Sequence, residues 1–193
     1  MKKLLSALTV LMLFAAPLAA QEPTCRNCPA AYIATEEINA YIKKAIAGRI
    51  VDQQMRAVDV GKSNVAVGLV HRTRLDKPAR ASVAEHDFVS EVYHVISGSA
   101  TLVTGPDLVD KVRRPADNVA VRMLNGPGNN AESVRNGVAH QLKAGDVIVI
   151  PAGTGHWFTK IDDHITYLMI RVDPDKVAPL KDEAASKADL ASK

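Results

Sequence analysis

The spacing of hydrophobic positions changes about a quarter of the way along the chain. Ile38, Tyr41, Ile42, Ala45 and Ile46 recur at i, i+3, i+4, i+7 and i+8, which is one apolar stripe of a helix. Thr35 stands where an N-cap belongs, and Glu36 and Glu37 suit the positive end of the helix dipole. Lys43 and Lys44 lie near the other end, with Gly48 as the stop. From about residue 53 the pattern becomes one of short β segments. Arg56–Val60 and Asn64–His71 are separated by the turn Gly61-Lys62-Ser63. Glu91–Val103, Val119–Leu124, Val147–Ile150, His156–Lys160 and Ile165–Val172 follow. Many short strands with one clear helix predict an antiparallel barrel or sandwich, with the helix packed outside. The stretch from Gly105 to Gly145 contains Asn125-Gly126-Pro127-Gly128-Asn129-Asn130 and reads as a surface loop over a cavity mouth. Residues 173–193 read as a polar C-terminal tail, either a solvated helix or a frayed end. There is no internal repeat.

The first 20 residues follow a different logic. Lys2 and Lys3 precede a 13-residue, largely apolar run, Leu4 to Ala16; Pro17 breaks it, and Leu18-Ala19-Ala20 offers small residues before Gln21. A bilayer span needs about 20 apolar residues, so the pattern predicts a secretory signal peptide, 1–20, and a periplasmic or secreted product. Cys25 and Cys28, the only cysteines, open a 21–50 extension ahead of a 51–172 barrel. In an oxidising compartment they are expected to form a local disulfide. Pro29 stands where a haem-attachment motif needs His, and two Cys alone cannot complete a four-ligand zinc site.

The chain of 193 residues is 47% hydrophobic and 23% charged, with a formal net charge of +3. Without Lys2 and Lys3 the balance is 22 basic against 21 acidic side chains. That leaves no electrostatic footprint for nucleic acid, and no second long apolar run for a membrane. Neither a P-loop nor a G-x-G-x-x-G after a strand is present.

The most informative segment is Gly145-Asp146-Val147-Ile148-Val149-Ile150-Pro151-Ala152-Gly153-Thr154-Gly155-His156, spaced G-x5-P-x-G-x2-H. It describes a turn, a buried strand, a Pro/Gly corner and a His opening the next strand. The segment resembles the second signature of the cupin superfamily, although Lys160 stands at the family's trailing Asn. The first signature, G-x5-H-x-H-x3-4-E-x6-G, is met by His86, Glu91 and Gly98; Pro78 and Ala84 occupy the leading Gly and first His positions. The resemblance covers roughly residues 50–172 and implies an all-β double-stranded β-helix, the cupin jelly-roll barrel.

It also implies a site. His86, Glu91 and His156 would hold a divalent transition metal (Fe, Mn, Zn or Ni) and leave coordination positions open. His71 and His94 are the available substitutes for the His missing at Ala84. Strand alternation turns Tyr93 to the same side as Glu91 and turns Val92 and His94 away. Tyr93 would then serve as an acid/base or hydrogen-bond donor, an E-x-Y arrangement similar to that of the cupin dimethylsulfoniopropionate lyases. A carboxylate among Val, Tyr and Ile needs a partner, either a metal or an Arg such as Arg72. His140 and His164 lie beside turns and are expected to be solvated, and one of Trp157 and Phe158 should face the core. Two uses of the barrel follow. One is an enzyme of oxygenase, lyase or isomerase type acting on a small polar metabolite. The other is a non-catalytic small-ligand or structural barrel, degenerate at Ala84. Cupins often pair through their sheets, so a homodimer is expected.

Overall fold

The computed structural model describes residues 22–26 and 28–192; the signal peptide expected at 1–20 lies outside them. Cys25 and Cys28 are joined in a disulfide. Helix α1, Thr35–Gly48, follows the stripe, burying Tyr41 and Ala45. Its ends differ from expectation. Ala34 occupies the N-cap without a side-chain bond, so Thr35 is already the first helical residue, and Arg49, at φ 51°, makes the left-handed reversal after Gly48.

The strands are β1 (Asp52–Asp59), β2 (Asn64–Leu75), β3 (Val83–His86), β4 (Ser90–Gly105), β5 (Leu108–Val109) and β6 (Val112–Arg113). After them come β7 (Gly128–Ala131), β8 (Ser133–Val134), β9 (Val138–Lys143), β10 (Val147–Ile150) and β11 (Gly155–Asp173). Every pairing is antiparallel. One face runs β1-β2-β11-β4-β10 and the other β6-β7-β3-β11-β4-β9. The long strands β4 and β11 therefore serve both faces, bending between them at register shifts. This is the jelly-roll barrel of a double-stranded β-helix. Strands β5 and β8 form a small separate ladder.

Alternation assigns the two sides of β2. Val70 and Arg72 point into the barrel, whereas Leu69 points out to meet α1. Inside, Tyr93, Leu102, Leu142, Ile150, Ile165 and Tyr167 close one end of the barrel. Outside, Tyr41, Ala45, Met55 and Leu69 bury the inner face of α1, each large side chain contributing roughly 1.5–3 kcal/mol. The C-terminal segment is docked. Helix α2 (Glu183–Ala191) is capped by Asp182, whose side chain accepts from the Ala185 N–H at 2.8 Å. Tyr41 donates to Asp189 at 3.2 Å, and Lys181 pairs with Asp189 at 2.8 Å. Of the two readings of the tail the helix is the one found, and it is packed beside α1 rather than free in solvent.

Two more expectations are corrected. Val119–Leu124 is not a strand. Asn118 accepts from the Ala120 and Arg122 N–H groups, at 2.9 and 3.0 Å, and starts a helical turn that becomes a π-turn over Val121–Asn125. The Gly105–Gly145 loop contains β5 to β9, and Asn129 within it is buried as part of β7. His156–Lys160 and Ile165–Val172 are one strand, β11, interrupted in register rather than broken.

Candidate metal and substrate site

Three strand ends bring the signature residues together. His86 closes β3, Glu91 opens β4, and His156 opens β11 directly after the Pro151–Gly153 corner. Gly153, at φ 78°, takes a left-handed conformation there, and its N–H donates to the His86 carbonyl at 2.8 Å. One ligand atom from each of the three side chains lies within 4.8 Å of the others, and all three residues are buried. His86 Nε2 is 3.3 Å from Glu91 Oε1, and His156 Nε2 is 3.4 Å from Glu91 Oε2.

The hydrogen bonds around this cluster decide which lone pairs are free. His156 Nδ1 lies 3.2 Å from the Thr154 carbonyl. A carbonyl only accepts, so Nδ1 carries the hydrogen and Nε2 presents a lone pair to the Glu91 carboxylate. Two acceptors face one another across 3.4 Å. Such a gap suits a cation, and a carbonyl behind the ring is a common support for a ligating imidazole. Burial holds the His156 imidazole down at about 4, against an opposing pull from Glu91, so the ring is neutral. Burial opposes ionisation of Glu91, but His86, His156 and Arg171 outweigh it and keep the carboxyl well below its usual range. The donor set therefore fits a transition metal.

His86 is differently placed. Arg114 Nη1 lies 3.2 Å from its Nδ1, and a guanidinium only donates. In this state Nδ1 accepts and Nε2 carries the hydrogen. Metal ligation through Nε2 would require the opposite tautomer and the departure of Arg114. Ala84, at the missing-His position, lines the same cavity and faces His156 across the β3–β11 ladder. His94 is exposed, and His71 is bonded to Thr166 at 2.8 Å on the outer side, so neither substitutes.

Tyr93 lies within the barrel and donates to Glu91 Oε2 at 2.8 Å. Burial, and then the charge of Glu91, push its hydroxyl well above the usual range, so it remains a donor. The arginine partner of Glu91 is Arg171, its cross-strand neighbour on β11, with Nε 3.6 Å from Oε1; Arg72 is not that partner. Arg171 also donates to Gln54 at 2.6 Å and to Asp52. His164 pairs with Asp163 at 2.6 Å, and His140 contacts Thr104 at 2.9 Å. Phe158 faces inward.

The cluster lies in the wall of a cavity of about 320 Å³, whose mouth includes the exposed Ala79 and Ser82. Sequence reasoning missed Arg114 and Asn125 in that wall. Neither belongs to a signature, and the segment that brings them in has no hydrophobic period.

The buried His156 predicts a pH dependence. An imidazole at about 4 when folded and 6.5 by default binds its proton preferentially in the unfolded chain. Its contribution is complete above pH 6.5 and is lost as pH falls towards 4; the full shift corresponds to about 3 kcal/mol. Glu91 adds a loss in the same direction, but only below its default value of 4.5. Urea unfolding between pH 7 and 4.5 should therefore show falling stability, with a flatter curve for His156→Gln.

No family model and no curated protein matches the chain. Similar solved structures include one from Bacillus halodurans at 14% identity, covering 86% of this chain and 98% of that one, with a TM-score of 0.42. A cupin protein from Bacteroides fragilis shares 17% identity over 61% of this chain and 72% of its own, TM-score 0.35. A conserved protein with a double-stranded β-helix domain from Klebsiella pneumoniae shares 17% over 67% and 85%, TM-score 0.37. These likenesses do not bear on chemistry. By its strand order, the double use of β4 and β11, and the glycine corners at Gly98 and Gly153, the chain has the double-stranded β-helix fold.

Proposed function

We propose that this is an exported, metal-binding cupin that acts on a small polar metabolite, with His86, Glu91 and His156 as the ligands. The observation that carries the reading is the His156 lone pair facing the ionised Glu91 carboxylate across 3.4 Å. Export is supported by the pattern of residues 1–20 and by the Cys25–Cys28 disulfide. A bound divalent ion would supply Lewis-acid polarisation of a substrate carbonyl or carboxylate. The chain's own groups do the rest. Glu91 is held in place by Tyr93 and Arg171, and a substrate oxygen that displaced Glu91 from the Tyr93 hydroxyl would receive its hydrogen bond or proton. Oxygenase, lyase and isomerase chemistry all use these elements.

The second reading is a ligand-binding barrel without catalysis. The Arg114 donor on His86 Nδ1 and the alanine at position 84 favour it. Metal analysis separates the two. The protein purified without chelators should carry close to one transition-metal ion per chain, and Glu91→Gln and His156→Ala should each lose it. Arg114→Met should tighten uptake severalfold by releasing His86. A wild-type chain that takes up none of Fe, Mn, Ni, Zn or Cu on reconstitution overturns the metal reading and leaves the binding barrel.

A further inference from the structure

The cavity beside the ligand cluster has an unbalanced charge. Its wall contains two carboxylates, Asp52 and Glu91, and both meet Arg171. The same wall contains Arg72 and Arg114, and neither is paired with a carboxylate among the described residues. Arg114 spends its donors on the Asn130 side chain at 2.6 Å, the Asn129 carbonyl at 2.9 Å and His86. Arg72 meets only the neutral Tyr167 hydroxyl. Its Nε is buried without a hydrogen-bond partner, although alternation on β2 points the side chain into the barrel. The guanidinium lies over the Phe158 ring at 4.9 Å from the centroid, which fixes its plane. Beside it, the Tyr167 hydroxyl is fully buried and faces this guanidinium. A guanidinium with no carboxylate partner and an unpartnered Nε therefore shares one part of the barrel with a buried hydroxyl.

A buried group of this kind is costly unless something completes it. We propose that Arg72 is the anchor for a carboxylate of the ligand, so that the cavity takes small carboxylic acids. The planar fork of a guanidinium matches the two oxygens of a carboxylate, and stacking on Phe158 pre-sets that fork. One unspent guanidinium balances one negative charge. A phosphate dianion would bring a second charge for which the wall has no free donor group. The volume, about 320 Å³, is at the small end of the range for ligand sites, which limits the acid to a compact molecule. With the carboxylate on Arg72, the remainder of the ligand extends along the same wall towards Glu91 and the two histidines. The inference takes from the proposed function that this cavity is the binding site; it does not require a metal there.

The test is a titration of the full, metal-free protein with acetate and with lactate, following the Arg72 Nε–H resonance by NMR. Both acids should shift that resonance saturably. Arg72→Met should weaken binding at least tenfold, and Arg72→Lys, which keeps the charge but not the fork, should fall between the two. Circular dichroism should show both variants folded. Inorganic phosphate should bind more weakly than lactate. Binding unchanged in Arg72→Met overturns the proposal, as does no binding of either acid, or phosphate bound more tightly through Arg72. Carboxylate binding that appears only after metal loading, and ignores Arg72→Met, places the anion elsewhere and also overturns it. A chain that binds lactate through Arg72 yet takes up no metal overturns the metal reading alone.

Discussion

Replacing Arg171 by Met is expected to lower unfolding free energy by about 3–5 kcal/mol, the usual cost of breaking a buried ion pair from one side. Arg171 is fully buried and holds Asp52, Gln54 and Glu91 at once. Met matches much of its volume, so the loss is electrostatic rather than a cavity. Glu91, itself buried, keeps its charge with the cation gone. Its carboxyl should rise in pKa, and the two histidines should then carry more of its stabilisation. A mid-sized domain loses about 2–4 °C per kcal/mol, which places the melting point roughly 10 °C lower. Adding Glu91→Gln to Arg171→Met should recover part of the loss, because the unpaired charge is then removed. Calorimetry of the two variants and the double mutant checks this. A double mutant no more stable than Arg171→Met would show that Arg171 acts mainly by packing.

Gly98→Ala is the second large effect. Gly98 sits where β4 bends between the two faces, at φ 78°. A Cβ there would lie 1.9 Å from the His164 carbonyl oxygen, which is backbone and cannot rotate away. The left-handed conformation alone costs a side chain about 1–2 kcal/mol. Gly145 provides the comparison: its φ is 90°, but nothing lies within 4 Å of an added Cβ. Gly145→Ala should therefore lose only the conformational part. Gly98→Ala should lose more than 3 kcal/mol, in the range where a distorted core becomes visible. Equal melting points for the two variants would mean that β4 and β11 can separate at the bend without cost.

The same bend explains what could be read from the sequence. Gly98, Gly145, Gly153, His86, Glu91 and His156 were legible through the resemblance of their spacing to the two cupin signatures, and a corner in a strand is the physical reason such a spacing recurs. Helix α1 was legible because its stripe meets a flat apolar sheet. The segment that brings in Arg114 and Asn125 was not. Strand β7 is Gly-Asn-Asn-Ala, held by backbone pairing on both sides and by Asn129 donating to Glu85. No hydrophobic period marks such a strand. Val119–Leu124 has strand-like composition, but Asn118 captures the following N–H groups and tertiary position overrides propensity. Arg171 is not legible as the partner of Glu91 because the pairing of β4 with β11 joins residues 80 apart, a distance no local pattern reports.

That distance has a kinetic side. β4 and β11 are each needed by both faces of the barrel, so neither face can be completed first and the other added later. The hairpin of β1 and β2 is local and can form early. The strands that carry Glu91 and His156 meet only after a long loop has closed, which makes the nucleus entropically demanding and the folding slow for a chain of this size. Once closed, the same sharing leaves no partly open barrel of low energy. The cavity is therefore assembled in the last cooperative event of folding, and it persists for as long as the barrel does.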